Sequence, residues 1–222
     1  MRWLLWKDYR QNRLVVFTAL GLLLAPHLVA LYATCRTKSV ATYSVRRDWD
    51  AFRVAAFFSL WVSQGALVLI GANAIGSERV DRSSEFLFSL PITRRRLLAS
   101  KLLLALGTAA VPWLVNAPMA WDVFEEIPGG ASDQFANIGI TGTTFFCVAW
   151  FLSSFLAGPA YAVYGGTVTP LCVIGGIGYV DYLFDLQISG DSAGLWYRAI
   201  CLALALPCFV VGTWHYLRRV EP

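Results

Sequence analysis

Long uncharged hydrophobic runs alternate with short charged segments along the chain. The runs cover residues 14–35, 54–77, 102–121, 134–180 and 199–217. A helix needs about 20 apolar residues to cross the hydrocarbon core of a bilayer, so the longest run holds two spans and each other run holds one. Gly158-Pro159 is a turn signal that divides the longest run. The pattern predicts six transmembrane helices, near residues 14–34, 54–77, 98–120, 137–157, 160–180 and 197–217.

The composition indicates the same class. Hydrophobic residues make up 57% of the chain and charged residues 14%, whereas a soluble domain averages about 25% charged residues. Backbone polar groups must be satisfied inside lipid, which favours helices. We therefore expect an all-α membrane protein with one transmembrane domain over residues 1–222, whose first run is a retained span and not a cleaved signal.

The distribution of Lys and Arg predicts the orientation of the spans. The N-terminal tail, the segment 78–101 and the C-terminus are basic, whereas the segments 121–136 and 181–198 are mainly acidic. Both termini are therefore expected in the cytosol and the protein in the cytoplasmic membrane. The basic segment 35–53 conflicts with this assignment, because six spans place it outside. The net charge of +4 follows from this topology and gives no reason to expect a nucleic-acid partner.

The first 13 residues combine four basic side chains with Trp3, Trp6 and Tyr9. Aromatic and basic side chains favour the headgroup region of a bilayer. The segment is expected to form an interfacial helix on the cytosolic leaflet. The alternative is a basic flank that only sets the orientation of the first span.

Polar residues inside the second span lie on one helical stripe, because Gln64, Gly71 and Glu78 are seven residues apart. Polar residues in membrane helices usually face other helices or a water-filled path. The stripe therefore admits two interpretations, helix packing or the lining of a transport pathway. Asn73 and Asn116 admit the same two interpretations.

Small residues in the fifth span also share a face. Gly165, Thr169, Cys172 and Gly176 follow the spacing i, i+4, i+7, i+11, and small residues let helix backbones approach closely in lipid. This small-residue seam could pack within one subunit or between two subunits.

The five cysteines form no CxxC or Cys/His cluster, so we expect neither a metal site nor a disulfide framework. Four of them lie inside predicted spans, where a free cysteine is commonly a small buried packing residue. These four are Cys147, Cys172, Cys201 and Cys208.

The segment between the second and third spans has the pattern of a short amphipathic helix followed by a corner. Ser83 or Ser84 can cap a helix that Pro91 ends. Thr93 can cap the next helix, which runs through a basic cluster into the third span. The apolar face of the short helix consists of Phe86, Leu87 and Leu90. The alternative is a simple interfacial re-entry helix.

This segment resembles the cytosolic signature of ABC-2 type transporter permeases, roughly E-R-E-x-G-T-x-E-x-L-x-S-x-P-[IL]-[ST]-R followed by a Lys. Val80 replaces the second acidic residue of that signature, and Arg82 stands where Gly is usual. The matching residues are Glu78-Arg79, Ser83, Glu85, Leu87, Ser89-Leu90-Pro91-Ile92-Thr93-Arg94 and Lys101.

The resemblance implies a coupling helix within residues 78–97 that docks into a groove on an ATP-binding cassette subunit. It also implies a second permease subunit, in a homodimer or heterodimer, and a pathway bordered by the second and fifth spans. The chain has no G-x-x-x-x-G-K-[ST] loop, so ATP and Mg²⁺ are expected on the partner ATPase and no cofactor on this chain. The coupling residues implied are Glu78, Arg79, Glu85, Phe86, Leu87, Leu90, Pro91, Thr93 and Arg94.

The function expected is therefore that of a permease subunit in an ATP-driven exporter of an apolar or amphipathic substrate. An intramembrane enzyme is disfavoured because the sequence lacks a G-x-S-G motif, an intramembrane pair of Asp residues and a metal cluster. The remaining alternative is a permease-like scaffold or sensory subunit that does not transport.

Overall fold

The computed structural model describes residues 2–37, 45–80, 93–127, 129–156, 158–184 and 190–218. Within these ranges the chain is helical and contains no strand, which confirms the all-α prediction. Each of the six helices is long and apolar enough to cross a membrane, as the hydrophobic pattern predicts. The helices are α1 (Arg2–Thr37), α2 (Val45–Val80), α3 (Arg94–Glu125), α4 (Gly130–Phe155), α5 (Pro159–Phe184) and α6 (Gly190–Arg218).

Several helices extend well beyond the predicted spans. The second helix begins at Val45, and the third continues to Glu125. The 32 residues of α3 measure about 48 Å at 1.5 Å per residue, against about 30 Å of hydrocarbon. Charged side chains therefore mark the ends of the apolar run but not the ends of the helix. The helix continues beyond the hydrocarbon core, where water can solvate these side chains.

The N-terminal segment differs from the expected arrangement in one respect. Residues 2–13 are helical, but they continue into the first span as part of the single helix α1. No Gly or Pro separates the two predicted elements, so nothing in the local sequence breaks the helix. Trp6 and Tyr9 remain close, with ring centroids 5.7 Å apart.

Consecutive helices run in opposite directions. Parallel pairing of α1 with α3 is shown by contacts of Asp8 with Ser100 and of His27 with Asn116. One end of the bundle therefore carries both ends of the chain and the α2–α3 and α4–α5 connections; we name it the termini end. The other end carries the α1–α2, α3–α4 and α5–α6 connections and is named the loop end.

Helices α2 and α4 form the centre of the bundle. In each, 56% of the most apolar stretch is buried, against 11–22% in the other four helices. At the loop end, Leu60 packs with Phe124 and Ile138 in one apolar cluster. Towards the termini end, Ile75 packs with Trp150 in another. Apart from α2 and α4, the helices present most of their apolar surface outward, as expected of helices in contact with lipid.

Glycine and proline shape two of the described connections. Gly129 and Gly130 both have positive φ, 92° and 72°, which lets the chain reverse between α3 and α4. Helix α4 ends at Phe155, and Pro159 occupies the first position of α5. Proline suits that position because it has no amide hydrogen to leave unpaired. The turn predicted at Gly158-Pro159 is confirmed.

Candidate coupling site and polar positions of the bundle

The start of α3 is the described element that directly follows the predicted coupling helix. Five of the coupling residues, Glu85, Phe86, Leu87, Leu90 and Pro91, lie outside the described residues, so their placement stays a prediction. Glu78 and Arg79 lie in the last turn of α2. Thr93 and Arg94 lie at the beginning of α3.

Thr93 occupies the N-cap position of α3, as the sequence predicts. Its backbone is extended, with φ −70° and ψ 138°. Its carbonyl oxygen accepts hydrogen bonds from the backbone amides of Arg96 at 2.9 Å and Leu97 at 3.3 Å. The hydroxyl makes no capping hydrogen bond, so the expected side-chain cap is wrong and the backbone alone starts the helix.

Polar contacts tie the first two turns of α3 to three other helices. Arg94 Nη1 donates to the carbonyl of Leu217 in α6 at 3.2 Å. The Ser100 hydroxyl donates to the carboxylate of Asp8 in α1. The Lys101 ammonium donates to the carbonyl of Ala74 in α2. We refer to these contacts as the α3 tethers.

Two charged members of the tethers are nearly inaccessible, since Asp8 is 2% exposed and Lys101 is 5% exposed. Hydrogen bonds that involve a buried charge are stronger than neutral ones, and removing one partner leaves a costly unsatisfied group. The sequence interpretation missed Asp8 and Ser100. The available signal was that Asp8 is the single acidic residue among four basic ones in the first 13 residues.

Two members of the stripe on α2, Gln64 and Gly71, pack against α4. Gln64 is 2% exposed and donates to the carbonyl of Leu60 at 2.9 Å. A Cβ atom at Gly71 would lie 2.8 Å from the carbonyl oxygen of Phe146, and Ser153 donates to the Gly71 carbonyl at 3.2 Å. These contacts favour the helix-packing interpretation at Gln64 and Gly71 over the pathway interpretation.

The two asparagines differ in their surroundings. Asn73 is half-buried, and its amide donates to the carbonyl of Leu69 one turn earlier, at 3.0 Å. Asn116 is fully buried and links two helices: its Oδ1 lies 2.9 Å from His27 Nε2 of α1. Its amide nitrogen donates to the carbonyl of Pro112 at 3.0 Å. Asn116 therefore serves as an interhelical contact between α1 and α3.

The small-residue seam of α5 is only partly used inside the chain. A Cβ atom at Gly165 would overlap the side chain of Leu152, and Thr169 donates to the Gly165 carbonyl at 2.7 Å. Cys172 and Gly176 are exposed, and no atom lies within 4 Å of a Cβ placed at Gly176. The face of α5 that is buried consists of Ala162, Gly166 and Pro170. Packing within the subunit is therefore not seen at Cys172 and Gly176, and packing between subunits stays a prediction there.

The cysteines follow the sequence expectation in part. Cys147 and Cys201 are buried, and Cys208 is half-buried. Cys172 is exposed, so burial was the wrong expectation for it. No group of three or more His, Cys, Asp or Glu residues within the described ranges could hold a metal ion.

Two ion pairs join helices at the loop end, and one of them involves Arg53 of the basic segment that conflicts with the predicted orientation. Arg53 of α2 lies 2.8 Å from the carboxylate of Asp122 in α3. Arg198 of α6 lies 3.0 Å from the carboxylate of Asp133 in α4. These arginines have carboxylate partners at the same end, so each is locally neutralised there.

An open cavity of about 600 Å³ lies between α2, α4, α5 and α6 towards the loop end. Its apolar lining includes Trp61, Phe145, Leu171 and Ile174. Its polar lining includes Gln134, Asn137, Thr141, Asp181 and Tyr197. The sequence interpretation named none of these residues. Gln134, Asn137, Thr141 and Phe145 share one face of α4, but the rest of the lining comes from three other helices, and no local pattern brings those helices together.

The family comparison covers most of the bundle. A family described as ABC-2 family transporter protein matches residues 6–175, from the first helix into the fifth. No curated protein and no solved structure matches the chain.

Proposed function

Because the chain belongs to the ABC-2 family of transporter proteins, we propose that it is the membrane-spanning subunit of an ATP-driven exporter. The observation that carries the proposal is the family match over residues 6–175, which runs from the first helix into the fifth and includes the predicted coupling segment. The partners proposed are a separate ATP-binding cassette subunit, which holds ATP and Mg²⁺, and a second permease subunit. The cargo proposed is apolar or amphipathic.

The proposed orientation places the termini end of the bundle in the cytosol and the protein in the cytoplasmic membrane. The Lys/Arg distribution supports this orientation. The α2–α3 connection then faces the cytosol, where an ATPase can reach it.

The α3 tethers supply a route from the coupling segment to the rest of the bundle. A push on the start of α3 would act on Leu217 of α6, on Asp8 of α1 and on Ala74 of α2. Since these contacts are hydrogen bonds between packed helices, a shift of α3 has to move the other helices with it or break the bonds. We propose that ATP-driven closure of the partner is transmitted in this way.

Affinity purification of the tagged chain from its own membrane tests the proposal, with ATP hydrolysis measured in the purified complex. Phe86→Asp, Leu87→Asp and Leu90→Asp place an unpaired charge in the proposed apolar contact, which costs several kcal/mol and should abolish ATPase recovery. Ser84→Asp is the matched control, because Ser84 belongs neither to the predicted apolar face nor to the matching signature residues, and Asp also caps helices.

The outcomes separate the alternatives. Loss of ATPase recovery in the three apolar variants, with normal membrane insertion and normal recovery in the control, supports docking through this helix. Normal assembly in all variants would move the docking site elsewhere. Absence of any ATP hydrolysis from the wild-type complex would favour the scaffold alternative.

A further inference from the structure

Helices α1 and α3 are joined by hydrogen bonds at two levels of the bundle, and a cavity lies between these levels. The Ser100 hydroxyl donates to Asp8 near the termini end, and His27 Nε2 lies 2.9 Å from Asn116 Oδ1 towards the loop end. These α1–α3 pairs are about 28 Å apart along α1 at 1.5 Å per residue. Between them, α1, α2 and α3 surround a cavity of about 360 Å³, which lies in the size range of pockets that bind small molecules.

The cavity has a buried back wall and a rim that faces lipid. Leu23 of α1 and Ser63 of α2 are buried and belong to the back wall. Leu20, Leu103 and Val111 also line the cavity but stay exposed, which places the rim between α1 and α3 on the outside of the bundle. Every lining residue belongs to a helical segment that can cross the membrane. The cavity therefore opens towards the hydrocarbon layer.

The lining carries two hydroxyl groups, and both of their protons are used inside the protein. Ser63 donates to the carbonyl of Leu60 at 2.8 Å. Thr108 donates to the carbonyl of Leu104 at 2.8 Å. None of the cavity-lining residues in the described part of the chain carries a charge. A polar or charged head would lose its hydration here without gaining a partner, which is unfavourable, so the lining favours a hydrocarbon.

The rim indicates which hydrocarbon can reach the cavity. Helices of separate subunits approach closely in lipid through small residues, whereas the rim consists of large, branched side chains, those of Leu20, Leu103 and Val111. Buried water needs two to four polar partners, which this lining does not offer. Acyl chains surround the helices at this depth of the bilayer, and a thin flexible chain can pass between branched side chains.

We propose that the cavity between the α1–α3 pairs binds one acyl chain of a bilayer phospholipid, which enters between α1 and α3 while its headgroup stays outside. A chain in this place supports the middle of α3 between its two hydrogen-bonded contacts with α1. An effect of this support on coupling to an ATPase rests on the proposed function. The binding of the chain does not.

A photoreactive lipid tests the site. The probe is phosphatidylcholine with a diazirine at the end of one chain, placed in dioleoylphosphatidylcholine vesicles that contain the protein. After illumination, peptide mass spectrometry locates the adducts. Adducts are expected on Leu23, Ser63 and Ala66, which line the cavity and are buried. Lipid that only surrounds the bundle labels outward residues and cannot reach this back wall.

A matched pair of glycines tests the location. No atom lies within 4 Å of a Cβ at Gly107 of α3 or at Gly21 of α1, so both positions should accept a larger side chain without disturbing the fold. Gly107 lines the cavity, whereas Gly21 does not. Gly107→Leu should reduce the back-wall adducts at least about tenfold, because the loss of about two buried methylene groups already has that effect. Gly21→Leu should leave their yield unchanged.

Competition with unlabelled lipids separates a site for the chain from a site for a headgroup. Phosphatidylcholine and phosphatidylglycerol with the same chains should compete equally, because the lining carries no charge. A clear preference for one headgroup would overturn a site for the chain alone. Loss of the dimer in Gly107→Leu, together with an absence of back-wall adducts in the wild type, would assign the rim to a second copy of the chain.

Two further results would also contradict the proposal. These are equal back-wall labelling in the two glycine variants and labelling of the wild type that is confined to outward residues. If Gly107→Leu fails to fold, the positions of the wild-type adducts decide by themselves. No ATPase takes part in the experiment, so failure of the proposed function would leave its result unchanged.

Discussion

Gln64 of α2 fills the space that the absent side chain of Gly142 leaves on α4. A Cβ atom at position 142 would overlap Oε1 of Gln64 and would lie 3.0 Å from Leu67 Cδ1. Gln64 is held in place by its hydrogen bond to the Leu60 carbonyl at 2.9 Å. The packing of the two central helices at this point thus depends on a glycine opposite a buried amide.

Gly142→Ala should therefore destabilise the bundle. Overpacking of a well-packed core typically costs about 1–3 kcal/mol, and thermal unfolding of the purified protein in detergent measures the effect. Gly139→Ala, on the same helix, is the control, because its Cβ would meet only Trp113 at an ordinary 3.7 Å. Adding Gln64→Ser to Gly142→Ala should recover part of the loss. Equal unfolding midpoints for the two alanine variants would contradict the proposed contact.

The pair of His27 and Asn116 should show a measurable interaction energy. A double-mutant cycle with His27→Leu and Asn116→Leu isolates the hydrogen bond between α1 and α3. Interhelical hydrogen bonds in membrane proteins average about 0.6 kcal/mol, with a maximum near 1.7 kcal/mol. The control cycle pairs His27→Leu with Asn73→Leu, whose amide bonds within α2, and should give no coupling. Additive effects in the first cycle would show that the contact is absent in the membrane.

The two ends of α3 should lie on opposite sides of the membrane. Arg95 and Glu125 are both exposed and lie at opposite ends of this 32-residue helix. In a cysteine-free background, Arg95→Cys should react with a thiol reagent from the cytosolic side. Glu125→Cys should react from the other side. Labelling of both positions from one side would refute the six-span arrangement.

The outer part of the α5 seam should govern association between subunits. Gly176→Leu should leave insertion and folding intact, because the position is exposed and nothing lies within 4 Å of its Cβ. It should nevertheless reduce dimer formation or transport, since association in lipid depends on close packing. Crosslinking in membranes measures the dimer, and Gly176→Ala should be tolerated far better.

A contrasting variant defines the buried face of the same helix. At Gly166 an added Cβ would lie 3.0 Å from the Ala149 Cβ and 3.3 Å from the Phe145 carbonyl. Gly166→Leu should therefore impair folding itself. If Gly176→Leu instead retains full dimerisation and transport, the outer part of the seam faces lipid and does not form a contact between subunits.

The sequence by itself determined the membrane class and the number and order of the helices. These properties follow from uncharged runs that are long enough to cross a bilayer. Such runs are easy to recognise because charged residues are costly in lipid and are therefore rare within them. The break at Gly158-Pro159 was also predictable, because local backbone chemistry decides it. The start of α3 after Thr93 was predicted as well, although the side-chain cap on which that prediction rested is not formed. The signature motif in the α2–α3 connection also predicted the family from the sequence alone.

Only the tertiary structure decided which face of each helix packs against which neighbour. In α5 the sequence predicted a seam of Gly165, Thr169, Cys172 and Gly176, whereas the structure buries Gly166 and leaves Gly176 exposed. The tether of Asp8 to Ser100 joins residues 92 positions apart, which no local pattern reveals. In lipid, moreover, hydrophobicity does not distinguish inward from outward faces, since lipid tails are as apolar as a protein core. Shape and hydrogen bonding between distant residues select the buried face instead.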